Sequence, residues 1–242
     1  MTITRAQAVT HMQYATGSTL AGATANDLVN DAGTWLSSAN GWGYLARQTT
    51  LANLVQNQEY VALPADFLEL IAAHMTSGYL AEVEQVPFEY IVFLRNSNIK
   101  PFATPGWCAP VWTTGALVAA SLARLELHPA PSTNVTNGIR IQYRAGWTPL
   151  TDDAHIANIP EFMVPLFKET CALWALSHQE RDVEAQADRI AALKAGPTWE
   201  AAVRTDGQKQ ATLGIMRGGA AQKHLNPSAV RFVNPHGPIS IV

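Results

Sequence analysis

The apolar residues change period twice along the chain, and this limits the fold more than any other feature. Near the N-terminus they repeat as one face of a helix. In the middle they alternate, and after residue 150 the helical spacing returns. A chain ordered this way fits an α+β class, in which its first and last helices can come together around a β insertion. The predicted class is α+β: a helical bundle with an inserted antiparallel β domain and an extended C-terminal arm. The expected divisions are 1–47 for the first bundle helices and 48–150 for the β insertion. Residues 151–210 supply the long closing helices and 211–242 the arm.

The local signals are specific. Thr4 and Gln7 fit a capping box ahead of a helix from Arg5 to about Tyr14. Leu28, Ala32, Trp35 and Leu36 lie on one face of a second helix, from Thr24 or Asn26 to Asn40, with Gly41 fitting its C-terminal stop. Alternation begins at Thr49, and Gln56–Gln58 make a turn. Tyr60–Leu63 returns as a strand that Pro64 ends, and Leu68–Met75 is a third. Pro87 fits the first turn of a helix through Arg95. Residues 97–115 read as an irregular loop carrying Trp107 and Trp112. Two strands follow, Leu117–Leu127 and Ile139–Ala145, the second after an Asn137-Gly138 turn. Its Ile139, Ile141 and Tyr143 oppose Arg140, Gln142 and Arg144, so one face is buried and the other wet or docked. Past Pro160 and Pro165, the residues Leu166, Phe167, Thr170, Cys171, Trp174 and His178 mark a central helix. Gly196-Pro197 separates it and its alanine-rich continuation from a last helical piece, Trp199–Lys209.

Charge supports this division. Only 14% of the 242 residues are charged, against about 25% in an average domain. So few charges defend a monomer poorly against association, which points to surface covered by other subunits. The body through residue 210 holds 13 basic and 19 acidic residues, a net of −6. The arm holds Arg217, Lys223 and Arg231 and no acid, a net of +3. A general nucleic-acid binder with a dominant basic face is disfavoured. No run of ~18 apolar residues suggests a membrane span, and the N-terminus lacks the apolar core of a secretory signal.

No phosphate-loop, dinucleotide, zincin or nucleophile-elbow motif is present. Asp152-Asp153 with His155, or His178 with Asp182, could ligate a metal, but each reads more simply as a helix-boundary turn or an i, i+4 pair. Cys108 and Cys171 read as a buried, reduced pair. No catalytic residue, metal or cofactor is expected. Trp107, Trp112 and Trp147 fit the core, a subunit or tail-facing interface, or a carbohydrate platform, the alternative function being a carbohydrate-binding β module. Arg140 and Arg144 fit a solvated or interface face better than a phosphate site.

The order of segments also resembles a family. The phrases that carry the likeness are Tyr60-Val61-Ala62-Leu63-Pro64-Ala65-Asp66-Phe67, Leu127-His128-Pro129-Ala130-Pro131 and Ile139-Arg140-Ile141-Gln142-Tyr143. They sit between an N-terminal helix with Trp35 and the helices after Ile159-Pro160. Over residues 20 to 200 the chain resembles the head-to-tail adaptor (connector) proteins of tailed bacteriophages. The resemblance implies a non-catalytic ring, commonly of twelve subunits, in the virion neck. Its partners would be the portal protein, the tail or nozzle proteins and further copies of itself, assembled in the host bacterial cytoplasm. DNA would pass through its channel without sequence-specific binding. Related C-terminal segments reach onto the portal, which implies that contact for Arg217, Lys223, Arg231 and Phe232.

Overall fold

A computed structural model describes residues 2–51, 53–76, 82–97, 104–112, 123–180 and 183–212. The class is α+β. Helix α1 (Arg5–Thr16) opens with the expected capping box: the Thr4 hydroxyl accepts from the Gln7 amide at 3.3 Å, and Gln7 Oε1 accepts from the Thr4 amide at 3.0 Å. Gly17, at φ 64°, ends it in the left-handed conformation that a side chain disfavours. Helix α2 (Gly22–Ser38) buries Leu28, Val29, Ala32 and Leu36. Trp42 is completely buried just beyond it, and its indole N–H donates to the Leu36 carbonyl at 2.7 Å. That bond satisfies a carbonyl of the last turn while burying a large ring, a gain of about 1.5–3 kcal/mol for the apolar part.

A 3-10 turn, Gly43–Leu45, leads into β1 (Ala46–Thr50). Strands β2 (Tyr60–Ala62), β3 (Phe67–Met75) and β4 (Glu82–Gln85) follow, then helix α3 (Phe88–Asn96). Strands β5 (Trp107–Trp112), β6 (Ala123–His128) and β7 (Ile139–Ala145) complete the sheet, in the order β1-β7-β3-β4-β5-β6-β2. Pairing is antiparallel except between β4 and β5, which run parallel through Glu84–Trp107 and Gln85–Cys108.

The two ends of this order are one continuous ribbon. Ala46–Thr50 pairs with β7 and Tyr60–Ala62 with β6. Between them the Leu51 amide bonds Ile139 O, Leu54 bridges Val135, and the Asn57 amide bonds Pro131 O. The sheet therefore curls, with Leu51, Leu54 and Val135 packed at the bend.

After a 3-10 turn, Glu161–Met163, the closing helices are α4 (Val164–Glu180), α5 (Val183–Ala195) and α6 (Pro197–Thr212). Two apolar clusters result. One joins α1, α2 and α4 with Trp42 and Leu45. The other fills the sheet around Leu125, Leu127, Ile139 and Ile141. The chain passes between them twice, at Leu45–Ala46 and Ala145–Gly146, where Ala46 pairs with Arg144.

Two sequence expectations differ from the structure. The segment 97–115 contains β5, masked in the sequence by Pro110, which here pairs with Leu125. The first strand starts at Ala46, before the alternation that pointed to it; Leu51 and Leu54 belong to the bend. The arm residues Arg217, Lys223, Arg231 and Phe232 lie outside the described residues.

Candidate functional site

The sequence-derived candidates occupy different environments. Trp147 lies at the junction of the two clusters and packs into the bundle. Its ring stacks on Phe167 at 5.3 Å, and its indole N–H donates to Asn30 Oδ1 at 3.2 Å. The same oxygen accepts from the Leu150 amide at 2.8 Å. Gly33 of α2 leaves the space that the ring fills. Trp107 is half-buried on β5, stacked over His128 at 6.0 Å and donating to Glu84 Oε2 at 3.2 Å. Trp112 is 55% exposed, at the other end of that strand and 5.9 Å from Phe67. The three rings form no shared platform, so nothing in their geometry favours a carbohydrate site.

Arg140 and Arg144 project from the outer face of β7, as the alternation required. Arg140 is exposed, in a cross-strand row with Thr50, His74 and, on β4, Glu82. Arg144 pairs with Glu69 and lies against Gly41, where a Cβ would stand 3.0 Å from its Nη2. It ties the sheet to the end of α2. The neighbouring Tyr143 hydroxyl donates to Asp66 Oδ1 at 2.9 Å; burial and that carboxylate push the phenol up to about 12.

Asp153 bonds Arg5 at 2.7 Å and the His155 carbonyl accepts from the Arg5 amide at 3.0 Å, stitching α1 to the segment before α4, while His155 Nδ1 accepts from the Thr151 amide within that segment. Among the described residues no group of three or more His, Cys, Asp or Glu could hold a metal ion. Asp182 lies outside them. Cys108 and Cys171 are buried free thiols, and burial pushes Cys108 up to about 12. The described groups form no convergent set of titratable side chains in a pocket.

Sequence reasoning missed three features. Glu126, 1% exposed, is held between Arg95 at 2.8 Å and Arg124. Asp206 of α6, 4% exposed, accepts from the backbone of the 3-10 turn Gly43–Leu45. Helix α3 turns Ile91 and Leu94 inward and leaves Tyr90, Val92 and Phe93 exposed. Only the last had a signal in the sequence, since a helix apolar on most sides cannot bury them all against one sheet.

The profile of the family described as SU10 adaptor protein matches residues 3–223, nearly the whole chain. The chain belongs to this family. No curated protein matches it. Membership of the SU10 adaptor family makes this a phage adaptor protein, a structural component of the virion neck that interacts with portal and tail components. It implies a non-enzymatic role. Among the described residues no helix is long and apolar enough to cross a membrane.

Proposed function

We propose that this adaptor forms a ring, of twelve subunits, that joins the portal to the tail and lines the DNA passage. The observation that carries the reading is the family match across residues 3–223. The low charge of the body supports it, because a closed ring with head-to-tail contacts covers two flanks of every subunit.

In this reading the helices of 1–47 and 151–210 build the ring wall, and the insertion 48–150 faces tail or nozzle proteins. Trp112 and Arg140 are exposed on that insertion and suit such a contact. Trp107, Arg144 and Trp147 act from behind, by holding β5, the α2 end and the bundle in place. The arm 211–242 contacts the portal through Arg217, Lys223, Arg231 and Phe232. Its +3 charge against a −6 body gives electrostatic selection, and its apolar residues supply burial. DNA passes without sequence-specific contacts, and assembly takes place in the host cytoplasm.

Electron microscopy and native mass spectrometry of the chain mixed with its portal test this. The expected result is a portal-bound ring of twelve copies. A portal that binds no adaptor, or binds single copies without ring closure, would sink it.

A further inference from the structure

Among the described residues of the sheet region, the outer face of α3 groups three exposed large apolar side chains. Tyr90, Val92 and Phe93 are 43%, 38% and 62% exposed, and the two rings stack 6.3 Å apart at 25°. At the foot of the helix an open groove is lined by Val86, Pro87, Phe88, Ala109 and Pro110. Exposed carboxylates accompany it: Glu89 on the helix, Glu82 and Glu84 on the strand leading into it. No ion pair among the described residues uses any of the three. The one cation of α3, Arg95, faces the sheet and is engaged by Glu59 at 3.3 Å and Glu126 at 2.8 Å. Among the described residues, α3 and the strand leading into it thus present an aromatic ledge and three exposed carboxylates outside any ion pair.

The chemistry that fits such a ledge is a cationic, apolar, extended segment. Apolar side chains would cover Tyr90 and Phe93, guanidinium groups would lie on their faces or meet the carboxylates, and prolines would suit the groove. Residues 213–242 have this composition. They contain Arg217, Lys223 and Arg231 with no acid, the words Val230-Arg231-Phe232-Val233 and Ile239-Ser240-Ile241-Val242, and Pro227, Pro235 and Pro238. The segment carries three cations, and the ledge and its leading strand carry three exposed carboxylates.

We propose that the α3 ledge seats residues 213–242 of a second copy of the chain. The segment continues from α6, which packs on α4, α5 and the two 3-10 turns, whereas α3 packs on β5 and β6. Thirty residues reach up to ~100 Å when extended, enough to pass to a neighbour. An arm from one subunit on the ledge of the next is a heterologous contact, the kind that closes a ring. The inference rests on the ring reading above and gives the arm a seat it occupies before the portal is met.

The test uses the full chain without portal, with Phe232 replaced by the photo-crosslinker p-benzoylphenylalanine. Light and heavy isotope-labelled protein are mixed before irradiation. The expected result is crosslinking from position 232 to residues 85–93 in light–heavy pairs. Glu82→Lys, Glu84→Lys and Glu89→Lys together should weaken it by about tenfold or more. Arg217→Glu, Lys223→Glu and Arg231→Glu in the same chain should restore it. All six are exposed or in the arm, and circular dichroism confirms that the body stays folded. Crosslinks confined to light–light and heavy–heavy pairs, no crosslinks to 85–93, or indifference to the three lysines would each overturn the proposal. Portal binding of the same proteins is read separately by co-sedimentation. Its loss with the crosslinks intact would defeat the portal assignment alone.

Discussion

The Asp206 carboxylate accepts a hydrogen bond from the Gly43 amide at 2.7 Å, across 163 residues of sequence, and its other oxygen accepts from the Tyr44 amide at 3.1 Å. These amides open a 3-10 turn, so a negative group caps their unpaired N–H donors. Two turns earlier on the same face of α6, Trp199 meets Trp42 edge-on at 5.3 Å. Helix α6 is thus fastened to the short stretch where the chain leaves the bundle for the sheet. Burial, and then the Asp206 charge, push the Tyr44 hydroxyl well above its ordinary value.

Asp206→Ala should cost about 1–3 kcal/mol, because it strands two part-buried amides. Asp206→Asn keeps one acceptor and should cost less. Urea unfolding measures the loss, and hydrogen exchange at Gly43 and Tyr44 locates it. Unchanged protection of those amides in Asp206→Ala would refute the fastening.

Gly33→Ala places a Cβ 2.2 Å from Trp147 Cε2, so the helix or the ring must move. The expected loss is about 1–3 kcal/mol, with a shift in tryptophan fluorescence. Gly22→Ala, on the same helix with open space at its Cβ, is the control and should be neutral or stabilising. Equal effects at both positions would rule out packing as the cause.

Arg95→Ala removes a cation from Glu126, whose side chain is 2% exposed. Arg124 stays paired with Glu126, so the loss should fall below the ~3 kcal/mol or more of a wholly unpaired buried charge, about 1–3 kcal/mol. Replacing Glu126 as well, Arg95→Leu with Glu126→Leu, should recover part of that loss. The double variant being worse than Arg95→Ala would show that the ion pairs themselves, rather than the under-compensated carboxylate, dominate.

His128 is 7% exposed, and burial first, then Arg95, lower its pKa against the opposing pull of Glu59. Below about pH 6.5 the unfolded chain takes up a proton that the folded site resists. Stability is therefore full above that value, declines as the pH falls below it, and levels off once the folded imidazole also titrates. Urea midpoints from about pH 8 to pH 5 should show the decline, and His128→Gln should reduce it. An unchanged slope in that variant would exclude His128 as its source.

Legibility in the sequence followed the range of the interactions. The Thr4–Gln7 capping box and the alternation of Ile139–Ala145 are local and appeared as expected. Strand β5 was hidden because its pairing with β4 and β6 overrides a proline and a glycine-rich flank. Trp147 was ambiguous because its seat is made by Gly33, on the far side of the β insertion in sequence and visible only once folded. Arg140 was read as outward-facing and is exposed, whereas the partner of Arg144, Glu69, lies on another strand. Asp206 looked like one charge among many on a charged helix, since its acceptors are backbone amides that no residue type announces.

The double crossing between the two apolar clusters sets how the parts can move. Both connections lie side by side in one ladder, at Ala46 and Arg144. If sheet and bundle shift relative to each other, that ladder is the natural axis, with Arg144 against Gly41 on one side and α6 near the turn on the other. In the ring proposed above, a tilt shared by every subunit would change the diameter at the sheet end without opening the helical contacts. A part built this way can match neighbours of unequal width.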